Sequence, residues 1–499
     1  MSKVVLNGQL SPDEVAAIAG GSEVALAADA LERVERNRRA FARLVERGTP
    51  IYGVTTGHGA LVLSEVPREL QRQSQANLLR SHAAGAGEEL PDAVVRAALG
   101  VRLNGLLRGH SGIRPLVLRL LADLLNAGLI PCVPRTGSLG ASGDLAPSAH
   151  AFLPLIGEGT VRAGDGRRLT GAEALRELDA EPLVLEAKEA LALINGTHFM
   201  AGIGALLVVR VRRLLDVADL VAATTIDALH GALAPFDPRV HRLRGIAGQR
   251  ESAAIIAAAL RGSEYDRGGD ESLQDAYSLR CAAQVHGSAR EAWGFFARLV
   301  ATEVNAVTDN PLVFSDEVIS AGNFHGQALA LAFDTLRLAL ADLGSVSERR
   351  TFRLLSPSLN GALPAFLSPS AGPANGYMIV QYVSAALLSE LRALAHPVSI
   401  DNVPTSDNQE DHVSMGMTGA LLALQAVERV ERIVAGELLC ACQAIDCRPD
   451  PPAPAVAGVH ALVRERVPPL EEDRPPADDV AALLPLVQGD ELARLVGER

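Results

Sequence analysis

Long runs in which apolar residues recur at helical spacing dominate the second half of this 499-residue chain, and they restrict its fold more than any other feature. One passes from Val285 through Ala289, Ala292, Phe296 and Leu299 and stops at Asp309-Asn310-Pro311, since proline disfavours helical geometry in the residue before it. Three more are predicted over about 327–350, 377–395 and 412–445. Helices this long and apolar along much of their course must bury against one another, which predicts a mainly α protein with a central long-helix bundle over 201–447. A smaller N-terminal domain over 1–200 is expected before it. The proline-rich stretch at 448–454 opens a short helical tail over 448–499. Strand-like alternation is confined to 153–162 and to the surroundings of Val313 and Ile319, and no internal repeat is present.

Composition excludes several function classes. Charged residues make up 21% of the chain and the formal net charge is -13, whereas binding a phosphate backbone needs clustered Lys and Arg, so nucleic acid is not an expected partner. The most apolar run, 201–209, is soon closed by Arg210 and Arg212, too early to span a bilayer. The first residues lack a basic segment followed by an apolar stretch, and a cytoplasmic location is expected. Five cysteines, at positions 132, 281, 440, 442 and 447, have neither paired spacing nor neighbouring histidines, so neither a disulfide framework nor a metal site is expected.

Ahead of the bundle lie two glycine-rich stretches, Tyr52-Gly-Val-Thr-Thr-Gly-His-Gly59 and Gly137-Ser-Leu-Gly-Ala-Ser-Gly-Asp144. Glycine clusters mark tight turns, mobile loops or close approach to a ligand. The second stretch is not a phosphate loop, because Asp144 follows Gly143 where Lys is needed. Nor is it a hydrolase elbow, which needs glycine at 144. What remains is Ala141-Ser142-Gly143 at a turn, with Asp144 as a candidate cap for the helix that starts at Leu145. Taken alone, these residues fit a flexible glycine turn. They also permit the Gly143 nitrogen to attack the Ala141 carbonyl, and loss of water from the ring and from Ser142 then leaves an electrophilic methylidene.

The eleven residues Gly137-Ser-Leu-Gly-Ala-Ser-Gly-Asp-Leu-Ala-Pro147 resemble, position by position, the signature of the histidine, phenylalanine and tyrosine ammonia-lyases and their related aminomutases. Further segments similar to that family follow in order: Tyr52-Gly-Val-Thr-Thr-Gly, Arg80-Ser-His-Ala-Ala-Gly85, Asn195-Gly-Thr197, Gln274-Asp-Ala-Tyr-Ser-Leu-Arg280, Asn323-Phe-His325 and Asn408-Gln-Glu-Asp-His412. The resemblance covers roughly residues 50–447. It implies a mostly α fold, a smaller N-terminal domain carrying a 4-methylidene-imidazole-5-one (MIO) made from Ala141-Ser142-Gly143, no metal, and a homotetramer whose active sites are shared among subunits.

The resemblance also implies residue roles. Tyr52 corresponds to the base that takes the β-proton; an ordinary phenol ionises near pH 10, so helix ends are expected to acidify it. Tyr277 and Arg280, three apart, correspond to positions that approach the ring and hold the substrate carboxylate, a task suited to the planar guanidinium fork. Asn195 and Gln274 correspond to polar residues near ring or substrate, and Phe324 to a pocket wall. His82 and Glu410 match what histidine lyases carry, and a carboxylate at 410 suits an imidazole N–H and not a phenyl ring. The expected substrate is therefore L-histidine, with urocanate and ammonia as products. His58 and His198 depart from the usual lyase residues, and Thr55-Thr56-Gly57 with Asn323-Phe-His-Gly-Gln327 resemble tyrosine aminomutases. These departures point to His58, His198 and Gln327 as specificity or lid residues. They keep open a histidine 2,3-aminomutase giving β-histidine, in which lid closure retains the acrylate. A non-catalytic binding or scaffold homologue is a further alternative.

Overall fold

The structure, a computed structural model, describes residues 3–48, 50–263, 274–370 and 372–495. Helices account for most of it. His198–Ala228 is a long helix that the periodicity did not single out, and four more, Ala282–Glu303, Gln327–Leu355, Met378–Leu394 and Gly416–Asp446, fall where it puts them. The last begins four residues later than the periodicity suggests. Met415 has a left-handed backbone (φ 54°), and the Ser414 hydroxyl accepts the Gly416 N–H, so the chain turns before it coils.

Strands are few and short. Lys3–Leu6 pairs in parallel with Glu23–Leu26, and Ile130–Pro131, Thr160–Arg162 and Arg168–Thr170 form a three-stranded antiparallel sheet. Leu312–Val313 pairs with Val318–Ile319 across a tight antiparallel turn. Of the predicted strand over 153–162 only Thr160–Arg162 forms one. Leu153–Ile156 is a 3-10 helix, because Pro154 cannot donate to a ladder and Gly157 ends the turn in a left-handed conformation (φ 81°).

Contacts divide the chain into two compact units that are discontinuous in sequence. The first comprises 1–209, 296–333 and 397–421; the second comprises 210–295, 334–396 and 422–499, so the C-terminal helices Pro454–Arg464 and Pro476–Gln488 belong to it. The first unit thus gathers segments from both sides of the boundary expected at residue 200, whereas the second lies wholly after it. In the first unit, the Asp92–Leu106 helix is buried along nearly its whole length. Arg96 is buried on it and donates to the carbonyls of Ile18, Ser22 and Leu125, closing the ends of neighbouring elements. A small apolar cluster of Phe41, Ile51, Val54 and Val313 brackets Tyr52 and anchors the start of its glycine loop. Among the described residues no helix is long and apolar enough to cross a membrane. All five cysteines are free thiols.

Candidate active site

A cavity of about 410 Å³ in the first unit is lined by Tyr52, His58, His82, Ser142, Asn195 and Glu410, together with Leu78, Leu145 and Leu191. Its size suits a small-molecule ligand, and its wall is mixed, with Ser74, Asn77, Ser81 and Ser406 adding polar groups between the leucines. Five stretches far apart in sequence meet there: the Tyr52 loop, the Gln71–His82 helix, the 137–144 turn, the end of the Glu189–Ile194 helix and the 401–413 loop.

The 137–144 turn is tight and backed by fixed structure. Ser142 (φ 52°) and Gly143 (φ 84°) are both left-handed, and the Gly143 N–H returns to the Gly140 carbonyl at 3.2 Å. A Cβ on residue 143 would sit 2.1 Å from the Gly196 carbonyl oxygen, so only glycine fits. Gly196 in turn donates its N–H to the Ser142 carbonyl (3.0 Å) and accepts the Asp144 N–H (2.8 Å), which clamps the turn from both sides. A compressed Ala-Ser-Gly turn with an unsubstituted glycine nitrogen fits the ring-forming tripeptide, and Ser142 faces the cavity.

Asp144 does not cap the helix that follows it. Its carboxylate is fully buried and accepts the Phe199 and Met200 N–H groups, both at 3.0 Å, and so caps the His198–Ala228 helix. Burial pushes its carboxyl up to about 7, against the lowering effect of those N–H groups and of the Ser138 hydroxyl. His198, expected at a lid, is buried behind the same turn and hydrogen-bonds Ser148 at 2.8 Å; it does not line the cavity. A side chain locked in the core cannot open and close, and this corrects the lid expectation for His198.

Tyr52 projects from the glycine loop, and its hydroxyl accepts the Gly59 N–H at 2.8 Å. That donation favours the phenolate, but burial outweighs it and nearby Glu410 adds to the effect, so ionisation of Tyr52 is pushed up. The expectation that helix ends acidify Tyr52 is therefore not met within this chain. His58 meets the tyrosine ring edge-on at 6.1 Å. Burial, then the neighbouring His82, drive its imidazole down to about 4, and its buried Nε2 has no hydrogen-bond partner. His82 ends its helix with Nδ1 2.9 Å from the Leu78 carbonyl. A carbonyl only accepts, so Nδ1 carries the proton and Nε2 is left as an acceptor. Burial also lowers the His82 pKa, keeping the ring neutral near pH 7.

Glu410 is presented by an unusual turn. Ser406, Asp407 and Asn408 are three consecutive non-glycine residues with left-handed backbones (φ 52°, 52° and 62°). Thr405 and Glu410 close the turn by backbone pairing, and the Thr405 hydroxyl donates to the Glu410 carboxylate at 2.8 Å. The turn touches the Tyr52 loop directly, where Ser406 accepts the Ala60 N–H at 3.2 Å. A Cβ on Gly59 would lie 2.4 Å from the Ser406 oxygen, so glycine is what permits this approach.

Of the other expected residues, Asn195 alone lies on the cavity wall. Its amide donates to the Asn310 carbonyl at 2.7 Å. Phe324 and Gln327 are in the first unit but not on the cavity wall, and Gln327 donates to the Ser399 carbonyl at 3.3 Å. Gln274, Tyr277 and Arg280 belong to the second unit. There Gln274 is exposed, Tyr277 is 71% exposed, and the Arg280 guanidinium lies over the tyrosine ring at 4.6 Å. Among the described residues Arg280 has no carboxylate partner. Sequence reasoning missed Ser406 and the buried Lys188–Asp309 pair (2.7 Å), which fixes the segment holding Asn195. Asp309-Asn310 was legible only as a helix stop.

The family model for aromatic amino acid lyases matches residues 10–465. A histidine ammonia-lyase of Anaeromyxobacter dehalogenans is 49% identical over 502 residues, covering 98% of this chain and 99% of that protein. The crystal structure of histidine ammonia-lyase from Trypanosoma cruzi superposes with a TM-score of 0.92 at 39% identity, over 99% of this chain and 95% of that one. That of a tyrosine aminomutase from Streptomyces globisporus gives 0.94 at 37% identity, over 99% and 98%.

Proposed function

The chain belongs to the aromatic amino acid lyase family, and from that membership we propose that it eliminates the α-amino group of L-histidine, giving urocanate and ammonia. The observation that carries the choice of substrate is the meeting of His82 and Glu410 with Ser142 and Tyr52 in one cavity. A carboxylate and an imidazole lone pair offer acceptors to the N–H groups of a substrate imidazole. Beside a phenyl ring both would be desolvated without compensation, which costs a few kcal/mol, about 10²-fold in preference.

In the elimination the Cα–N and one Cβ–H bond break and a carbon–carbon double bond forms. Enzymes of this family use a self-formed methylidene-imidazolone; built here from Ala141-Ser142-Gly143, it supplies an electrophile that makes the amine a better leaving group. Tyr52 accepts the β-proton on its phenolic oxygen, and the Gly59 N–H stabilises the phenolate that this requires. His58 and His82, both neutral, add no cation that would repel a substrate imidazolium. The N-terminus of the Leu145–Phe152 helix, whose first residue lines the cavity, favours negative charge beside Ser142.

Arg280 binds the substrate carboxylate and Tyr277 approaches the ring-forming turn, supplied by a second copy in a homotetramer with shared sites. The high exposure of Tyr277, and an Arg280 guanidinium with no carboxylate partner among the described residues, support this. A cytoplasmic location goes with the free thiols. One observation favours a second reading, histidine 2,3-aminomutase: among solved structures the backbone of a tyrosine aminomutase superposes as well as that of a histidine lyase. Incubation with L-histidine tests both, following urocanate by ultraviolet absorbance and β-histidine by chiral chromatography. Urocanate alone supports the lyase; β-histidine as the main early product replaces it with the mutase; neither product refutes histidine as substrate.

A further inference from the structure

The second unit buries a string of ionisable side chains that the chemistry above does not use. Asp219, His286, Arg350 and Glu437 are all completely inaccessible and come from four different long helices. Their hydrogen bonds admit one arrangement. The Asp219 carboxylate can only accept, so His286 Nδ1, 2.7 Å away, carries the ring proton. His286 Nε2 is then a lone pair, and it accepts from Arg350 Nη1 at 3.2 Å. Arg350 turns the other side of its fork to Glu437, with Nε at 2.5 Å from one oxygen and Nη2 at 2.9 Å from the other. Thr225 and Ser347 complete the glutamate at 2.8 and 2.6 Å, and Arg290 closes the far end on Asp219 at 2.6 Å. Each charge is paired within the string, as a buried ion pair requires if it is not to be costly. Burial keeps His286 neutral, in agreement with this arrangement.

One donor direction of Arg350 leads out of the string. Nη1 also reaches the Ser278 carbonyl at 3.5 Å, in the middle of the short Tyr277–Arg280 helix. A four-residue helix has almost no stability of its own, so its orientation must come from outside. It is tied a second time just upstream, where the Asp275 carboxylate accepts the Ala232 N–H at 2.7 Å. We propose that Arg350, held rigid by Glu437 and His286, acts with Asp275 as a positioning device that aims Arg280 at the substrate carboxylate. The inference rests on the role assigned to Arg280 above. Arg350 touches no substrate; it sets the angle of the turn whose guanidinium does, and a displacement of about 1 Å there is enough to cost tenfold or more in binding.

The test compares two ligands of the assembled enzyme, urocanate, which carries a carboxylate, and imidazole, which does not, by their inhibition constants. Arg280→Met serves as reference and should weaken urocanate alone. Arg350→Lys keeps the charge facing Glu437 but loses the fork, and His286→Leu removes the acceptor. Each should weaken urocanate about tenfold and leave imidazole unchanged, with the intact-mass signature of the ring retained. His286→Gln, which can accept from Arg350 and donate to Asp219, should restore urocanate affinity to within about twofold. If the buried variants fail to fold, Asp275→Ala on the partly exposed segment should show the same selective loss. Equal effects on both ligands, or none, in folded variants while Arg280→Met remains selective would overturn the positioning role and leave the assignment of Arg280 standing. If Arg280→Met itself is not selective, that assignment fails first.

Discussion

Two left-handed turns reach the same cavity, and they are built in opposite ways. The turn at Ser142 and Gly143 is spaced by glycines, half-buried at Ser142 and buried at Gly143, and clamped on both sides by Gly196. The turn at 406–408 has no glycine, lies on a largely exposed loop, and is held chiefly by the pairing of Thr405 with Glu410. The contrast follows from what each must do. Ring closure demands that a nitrogen be pressed against a carbonyl, which a rigid frame alone can sustain. Presenting one carboxylate to a side chain needs only that the loop return to the same place. Under the proposed function, chemistry is thus built into the packed turn, and substrate choice into the exposed one.

The comparison breaks most visibly at the packed turn. Ser142→Ala should abolish turnover with the fold intact, and an intact-mass measurement should show the loss of the two-water deficit; normal turnover in that variant would remove the self-made electrophile. Gly143→Ala should do the same and also lower the melting temperature, since the added methyl meets the Gly196 carbonyl and overpacking of this kind costs roughly 1–3 kcal/mol. At the exposed turn, Glu410→Gln should leave the ring and the fold unchanged and reduce the preference for histidine over phenylalanine by about 10- to 100-fold, the worth of a hydrogen bond to a charged group. Ratios of kcat/KM for the two amino acids check this.

Titration separates the turns further. The buried Asp144 carboxyl has its pKa raised from 3.8 to about 7, so between those values the folded protein holds a proton that the unfolded chain has released. Stability should fall as pH rises from about 4 to about 7, by at most about 4 kcal/mol, and Asp144→Asn should flatten the dependence in denaturant melts across that window. Activity should run the other way. Burial raises the Tyr52 pKa, so kcat/KM should climb with pH on the alkaline side of neutrality, and Tyr52→Phe should remove both the climb and most of the rate. The smallest effect is expected for Asn408→Gly, which relieves a left-handed strain at the price of chain entropy. Melting should report a change of less than about 1 kcal/mol, with turnover unaltered.

The helices were legible because long apolar periodicity has few other ways to be satisfied, and the predicted ends were missed mainly where a local turn intervened, as at Ser414 and Met415. The glycine-rich turn was legible because glycine advertises positive φ. The 406–408 turn was not, because Ser-Asp-Asn adopts that backbone only when the surrounding loop enforces it. The cap formed by Asp144 was assigned to the wrong helix for a related reason: sequence places it beside Leu145, while folding brings the amides of Phe199 and Met200 to its oxygens.

By itself the sequence determined the helical class, which follows from spacing, while the ring-forming tripeptide and the pairing of His82 and Glu410 with a substrate imidazole are what the resemblance of its motifs to the aromatic amino acid lyases implies. Tertiary structure alone decided the protonation of those groups and the anchoring of the elements that carry them. Burial raises the pKa of Tyr52, silences His58 and ties the Tyr277–Arg280 turn to a guanidinium seventy-two positions from Ser278. Ionisation and orientation depend on how much water and which partners remain around a group, and those are properties of the folded interior, to which distant segments contribute together.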